Sequence, residues 1–268
     1  MRNLKRRVLT ALVGIAGFVA ALYVGGWVFG VVILFVALAA QYEVYRLFEC
    51  GGLSPWIIPG LILGALVGLR ALVPDTIPLA VAFVVVLVAY ASFSTTERPL
   101  DILAATVVGA VYPTLLFTFL TDLRLTLGED VAVLTTLGTL VLIWVSDIMA
   151  YVAGNLFGKH LLAPSISPGK TWEGAAAGLA ASLLLALLMK PAVADFLRWQ
   201  DAVVLAILCG GVSQLGDLAE SRFKRAVGVK DSGTLLPGHG GFLDRFDGVI
   251  VAVPLAYLYL KYVAGMIG

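Results

Sequence analysis

The sequence contains few cysteines, few histidines and few charged residues, and each shortage excludes a class of protein. Its 268 residues include two cysteines, Cys50 and Cys209, and two histidines. Two cysteines are too few for a disulfide framework or a cysteine-based metal site, and Cys209 stands in an apolar run, where we expect a small buried side chain. Charged residues make up 13% of the chain, about half of their share in soluble domains. The low share of charged residues is the shortage that argues against a soluble globular protein.

Hydrophobic residues make up 60% of the chain, and its mean hydropathy is +1.00. A transmembrane helix needs about 20 consecutive, mostly apolar residues. Windows of about this length recur nine times, at 8–24, 27–47, 56–73, 77–93, 102–120, 131–153, 174–189, 202–219 and 248–267. They predict an all-α integral membrane protein, a polytopic bundle of about nine transmembrane helices with polar cytoplasmic loops.

Lysine and arginine are unevenly divided between the predicted loops. If the chain begins in the cytoplasm, 13 of the 18 basic residues lie in or beside the loops on that side, and five lie on the other. Basic residues favour the cytoplasmic side of a membrane. We therefore expect the long polar loops at 154–173 and 220–247 to face the cytoplasm. We also expect the protein to be located in the inner (plasma) membrane of a prokaryote.

Polar residues also divide the chain in two. Up to about residue 120 it consists of apolar helices joined by short turns, and Glu43 and Asp101 are interpreted as interfacial charges near helix ends. We interpret 1–120 as N-terminal scaffold helices and 121–268 as a catalytic region.

The predicted helix at 131–153 ends in polar residues. On a helix, Asp147, Tyr151 and Asn155 step by four and share one face. An aspartate at this depth should face protein or water. It is a site candidate, and a hydrogen bond that only packs two helices together is the alternative.

A Ser-Pro-Gly-Lys-Thr run, Ser167–Thr171, comes directly before the next predicted helix. It is not a Walker motif, because no glycine lies five residues before Gly169 and no strand is predicted before it. Backbone amides at a helix start, together with Lys170, would nevertheless favour an anion. A solvated turn is the alternative.

The window at 202–219 is apolar until its end. If the helix continues, Asp217, Glu220, Ser221 and Lys224 share one face. Two acids and a lysine at a membrane surface could hold a metal ion and a phosphate, and salt bridges among them are the alternative.

The chain then turns through a glycine-rich segment and re-enters a helix. Asp244 and Asp247 are one helical turn apart near the start of the last window. Acidic oxygen ligands suit magnesium better than zinc. His239 has no second histidine at ligand spacing, so we expect it to donate to a phosphate or to brace the turn.

The order of residues 221–247 resembles the signature of the phosphatidate cytidylyltransferase family, also called CDP-diacylglycerol synthases. The loop at 167–174 and the face of Asp147 are similar to that family too. The matching positions are Ser221, Phe223, Lys224, Arg225, Lys230, Asp231, Gly233, Leu236, Pro237, His239, Gly240, Gly241, Phe242, Asp244, Arg245, Phe246 and Asp247.

The resemblance implies transfer of a cytidylyl group from CTP to phosphatidate, with one or two magnesium ions. It further implies a homodimeric membrane enzyme of phospholipid biosynthesis that has no nucleic-acid partner. The implied metal ligands are Asp217, Asp244, Asp247, Asp147 and Glu220. The implied catalytic residues are Asp217, Asp244, Asp247, Lys224 and Arg225. The implied substrate-binding residues are Ser167, Lys170, Thr171, Glu173, Asn155, Ser221, Lys230, Asp231, His239, Gly240, Gly241 and Arg245.

Two other functions stay open at this point. A CTP-dependent lipid kinase would transfer the γ-phosphoryl group and release CDP. A transporter could use the acidic residues for ions, although transport sites usually lie near the bilayer midplane, whereas these charges cluster at one face.

Overall fold

A computed structural model describes residues 2–235 and 240–267. Within them the chain forms ten α-helices and one small hairpin. The helices are α1 (Arg2–Val24), α2 (Gly26–Cys50), α3 (Ile57–Gly68), α4 (Thr76–Phe93), α5 (Pro99–Leu125), α6 (Glu129–Phe157), α7 (Trp172–Val193), α8 (Trp199–Ile207), α9 (Ser213–Ala226) and α10 (Leu243–Tyr262). The strands β1 (Leu161–Ala163) and β2 (Ser167–Thr171) pair antiparallel between α6 and α7.

Six helical segments are long and apolar enough to cross a membrane. They are α2, α4, α5, α6, the first 20 residues of α7, and the continuous segment Trp199–Ala226. Two further apolar helices, Val13–Val24 and Ile57–Ala71, are shorter. These segments confirm the predicted all-α integral membrane protein. The count of about nine spans stays a prediction.

The chain divides into two compact units. The first contains Met1–Thr121 and Phe223–Arg245, and the second contains Asp122–Arg222 and Phe246–Gly268. The division therefore falls within α5, within α9 and within α10. The sequence-based division into a scaffold and a catalytic region is a division by role, and it stays a prediction.

In the first unit, a buried polar network fixes α2 against α3 and α5. The Gln41 amide nitrogen donates to the Tyr45 hydroxyl (2.9 Å) and to the Gly60 carbonyl (2.7 Å), and Tyr45 donates to the Thr106 carbonyl (2.7 Å). A Cβ atom at Gly60 would lie 1.9 Å from the Tyr45 hydroxyl, so only glycine lets the helices approach this closely. The network sets the position of α2, the helix that carries Glu43.

In the second unit, small residues bring α6 close to the α8–α9 segment. A π-helical turn, Leu208–Val212, joins α8 to α9. The Gly210 carbonyl in this turn accepts hydrogen bonds from Ser146 Oγ and from the Gln214 amide, each 2.7 Å long. Such turns often occur near functional sites. Here the turn holds the part of α6 before Asp147 beside the start of α9.

Candidate active site

Four acids of the second unit, Asp147, Asp217, Glu220 and Asp247, form what we call the acidic cluster. Asp147 comes from α6, Asp217 and Glu220 from α9, and Asp247 from α10. Glu220 is fully buried, and its carboxyl group interacts with that of Asp247. The negative charge of Asp217 acts on both Asp147 and Asp247. Three helices thus contribute four of the five acids that the sequence predicted as metal ligands, while the fifth, Asp244, belongs to the first unit.

Lys170 brings a positive charge to the acidic cluster. Its Nζ lies 2.5 Å from Asp217 Oδ2, and its charge also acts on Asp147. Lys170 stands near the end of β2, so the hairpin sets its position. Ser221 Oγ donates to the other oxygen of Asp217 over 3.4 Å. A lysine held against carboxylates at an accessible surface can exchange that contact for a phosphate.

The remaining predicted residues of the 154–173 loop and its flanks support the hairpin and the start of α7. Thr171 Oγ1 caps α7 by accepting from the Gly174 amide (3.1 Å). Glu173 accepts from the amides of Lys159 and His160, and it pairs with the His160 ring (2.6 Å). Asn155 donates to the Tyr151 carbonyl within α6, and Ser167 begins β2. These contacts give the residues structural roles, while their predicted roles in substrate binding stay predictions.

In the first unit, Lys224 and Asp244 form a buried ion pair. Lys224 Nζ lies 2.6 Å from Asp244 Oδ1, and the two side chains are 10% and 11% exposed. Asp244 also accepts from the backbone amides of Ser232 (3.0 Å) and Gly241 (2.9 Å). Burial alone would raise the pKa of Asp244, but the Lys224 ammonium and these amides outweigh it and lower the pKa below its usual range.

Glu43 is a site residue that the sequence analysis interpreted as an interfacial charge. Its side chain is buried, at 1% exposure. It accepts hydrogen bonds from Ser232 Oγ (3.1 Å), Phe242 N (3.0 Å) and Leu243 N (2.8 Å). The sequence does contain a signal for Glu43, because an acid inside an apolar run is a functional candidate by default. Its partners lie about 190 to 200 residues away, so sequence spacing could not identify them. Asp101, by contrast, is an exposed partner of Arg98.

The other predicted residues of the signature lie at the surface. Arg225 donates to the Val229 carbonyl (2.7 Å) at the end of α9. Lys230, Asp231 and Arg245 are also exposed. Gly240 has a φ of +84°, a backbone angle that residues other than glycine rarely adopt. His239 lies outside the described residues.

Magnesium fits the chemistry of the acidic cluster, since carboxylate oxygens are its preferred protein ligands. Across residues 2–235 and 240–267, however, no group of three or more acidic, histidine or cysteine side chains is close enough together to coordinate a metal ion. In this arrangement Lys170 holds Asp217. The predicted metal ligands therefore stay predictions.

The second unit also contains an apolar cavity of about 170 Å³ between α6, α7 and α8. Leu134, Leu142, Leu185, Met189 and Leu205 are among its lining residues. The lining is apolar apart from Thr135 and Thr139 and contains no charged side chain. Such a cavity offers nothing to neutralise the phosphates of a nucleotide, so the acidic cluster remains the candidate site.

The apolar helices and the buried polar clusters define a multi-pass, all-α integral membrane protein with a cluster of charged groups in each of its two units. The sequence matches the cytidylyltransferase family over residues 5–263. The chain belongs to this family, which confirms the resemblance of residues 221–247.

Several relatives carry the name phosphatidate cytidylyltransferase. One from Staphylococcus saprophyticus is 34% identical over 266 residues, covering 96% of this chain and 99% of the relative. One from Synechocystis is 31% identical, covering 95% and 96%. One from Brucella abortus is 48% identical over 139 residues, covering 52% of this chain and 51% of the relative. The chain thus spans about half of the length of the Brucella relatives that it matches.

Proposed function

We propose that the protein transfers a cytidylyl group from CTP to phosphatidate, giving CDP-diacylglycerol and pyrophosphate. The observation that carries this proposal is the alignment, over nearly the whole chain, with relatives named for the same reaction. The acidic cluster with Lys170, and the buried pair of Lys224 and Asp244, support it. Such groups suit a reaction between two anions.

The chemistry demands charge neutralisation more than proton transfer. A phosphatidate oxygen forms a bond to the α-phosphorus of CTP, and the bond from that phosphorus to the β-phosphate bridging oxygen breaks. The phosphatidate phosphomonoester is already ionised near pH 7, since its second pKa is about 6. No general base is therefore needed, and the protein must hold the anions in line and offset their charge.

Lys170 is the basic residue of the second unit best placed for this task, because it already lies against the acidic cluster. In our proposal its ammonium leaves Asp217 for a phosphate oxygen when substrate binds, which frees the Asp217 carboxylate. Lys224 keeps Asp244 in place in the first unit, and the exposed Arg225, Lys230 and Arg245 attract the triphosphate.

Asp217 would hold magnesium, with Asp147, Asp247 and Glu220 as further ligands. A bound magnesium ion would neutralise phosphate charge and help pyrophosphate to leave. We further propose an inner-membrane enzyme whose site faces the cytoplasm and which functions as a homodimer. The excess of basic residues in the loops of that side supports the orientation.

Pyrophosphate release by the purified protein in detergent tests the proposal. We expect release that requires CTP, phosphatidate and magnesium together and that stops when a chelator is added. Release of CDP without pyrophosphate would indicate a CTP-dependent lipid kinase instead. A folded protein without turnover would contradict the proposal and favour a transporter or a scaffold.

A further inference from the structure

The buried carboxylate of Glu43 contacts both ends of the glycine-rich turn of the signature. We call the described parts of this segment, residues 232–235 and 240–243, the signature turn. At its start, Ser232 Oγ donates to Glu43 (3.1 Å), and at its end Phe242 N and Leu243 N donate to the same carboxylate (3.0 and 2.8 Å). One side chain of α2 therefore contacts both described parts of the signature turn, about 190 residues later in the chain.

Two glycines of the turn pack directly on this carboxylate. A Cβ atom at Gly233 would lie 2.6 Å from Glu43 Oε1, and the two nearest atoms after it, at 2.8 and 2.9 Å, also belong to Glu43. A Cβ atom at Gly241 would lie 2.4 Å from Glu43 Oε2 and 2.2 Å from Ser232 Oγ. Both positions of the signature thus require glycine because Glu43 occupies the space of a side chain.

The same turn carries the backbone amides that donate hydrogen bonds to Asp244. Ser232 donates its hydroxyl to Glu43 and its backbone amide to Asp244, and the Gly241 amide also donates to Asp244. Asp244 in turn holds Lys224. Hydrogen bonds and close contacts therefore run without a gap from Glu43 through the turn to the buried ion pair.

We propose that Glu43 is a positioning residue of the active site: its carboxylate holds Ser232, Phe242 and Leu243 in place and so positions Asp244 and Lys224 for the reaction. The proposal rests on the proposed function, since it assigns Glu43 a part in that reaction. It also makes α2, in the predicted scaffold region, part of the catalytic machinery.

The test compares Glu43→Gln and Glu43→Asp with Glu49→Gln as the matched control. Glu49 is on the same helix but pairs with the exposed Arg46. In Glu43→Gln an amide NH₂ replaces a carboxylate oxygen and faces backbone donors, so we expect kcat/KM for CTP to fall by about ten- to a hundredfold. Glu49→Gln should stay within twofold of the wild type. Glu43→Asp keeps the charge and should retain more activity than Glu43→Gln.

A double-mutant comparison separates positioning from general stability. Gly233→Ala alone should lower kcat/KM, because the three atoms nearest to the added Cβ all belong to Glu43, which would have to move. In a Glu43→Asp background the shorter side chain makes room, so the same change should cost less than it does in the wild type. Equal costs in both backgrounds would contradict the contact.

A readout without turnover keeps this proposal apart from the proposed function. Trypsin can cut after Lys230, which is exposed beside the signature turn. We expect Glu43→Gln to speed this cut several-fold in the folded protein and to leave the cut after the exposed Lys159 unchanged. Faster cutting in a protein without cytidylyl transfer would overturn the proposed function alone. Unchanged cutting, with activity near that of the wild type, would overturn the role of Glu43.

Discussion

Asp217 and Asp244 have the same side chain and opposite surroundings. Asp217 is 38% exposed and its ion pair partner Lys170 is 24% exposed, so water can replace either contact. Asp244 is 11% exposed and holds Lys224 and two backbone amides. Removing one partner of a buried pair leaves an uncompensated charge, which costs about 3–5 kcal/mol. The two acids should therefore differ in what they contribute to stability.

We expect Asp217→Asn to abolish most pyrophosphate release while the thermal unfolding midpoint in detergent stays near that of the wild type. Asp244→Asn should abolish activity and also lower the midpoint clearly, since Lys224 loses its counter-charge. The measurement is pyrophosphate release beside thermal unfolding of both variants at the same pH.

Lys224→Met provides the control for this comparison. Combined with Asp244→Asn, it removes the isolated charge, so the double variant should be more stable than the sum of the two single effects implies. Equal midpoints for Asp217→Asn and Asp244→Asn would show that the buried pair contributes little.

At the scale of elements, the sequence predicts the helices well, because a long apolar run in a membrane protein has to form a structure that satisfies its own backbone. Each of the nine windows is mostly helical, although the helical residues end at Ala71 in the window 56–73 and at Tyr262 in the window 248–267. The sequence predicts a loop where the structure has the hairpin before α7, because its strands are only three and five residues long and the second contains proline and glycine. The π-helical turn has no sequence signal beyond the Gly210–Gly211 pair.

Tertiary contacts are the part of the site that sequence could not supply. The spacing of Asp217, Glu220 and Lys224 on α9 follows from helical periodicity. The contact of Glu43 with the signature turn depends on how α2 packs, which the buried Gln41 and Tyr45 determine through groups on other helices. Likewise, the sequence does not distinguish Gly178 from other small helical residues, because its contact with Ser146 is known only from the structure.

Gly178 provides a prediction for the contact of α6 with α7. A Cβ atom at Gly178 would lie 2.7 Å from the Ser146 carbonyl oxygen, next to Asp147, whereas a Cβ atom at Gly138 would meet nothing within 4 Å. Alanine in place of glycine within a helix gains about 0.5–1 kcal/mol when space allows. We therefore expect Gly138→Ala to raise the unfolding midpoint, and Gly178→Ala to lower both the midpoint and activity.

The two glycine variants carry the same substitution on helices of the same unit, so each controls for the other. A Gly178→Ala variant that is as stable and active as Gly138→Ala would show that α6 and α7 have room to separate without disturbing the acidic cluster.

At the scale of the whole molecule, the distribution of basic residues predicts which side of the membrane holds the polar loops. The chain itself carries a reporter for this, because Cys50, at the end of α2, is exposed and Cys209 is fully buried. Cys50 lies in the connection between the second and third apolar windows, at 48–55, which we expect in the cytoplasm together with the signature. A thiol reagent that cannot cross membranes should therefore react at one position of the native protein.

We expect such a maleimide to leave the protein unlabelled in intact cells and to label Cys50 in inside-out vesicles. The control variant combines Cys50→Ser with Asp195→Cys, because the Asp195 side chain is 90% exposed in the connection between α7 and α8, on the side that we expect to face outward. It should show the opposite pattern. Labelling of Cys50 from outside and of the Asp195→Cys variant from inside would reverse the orientation, and it would place the signature on the side where no CTP is available.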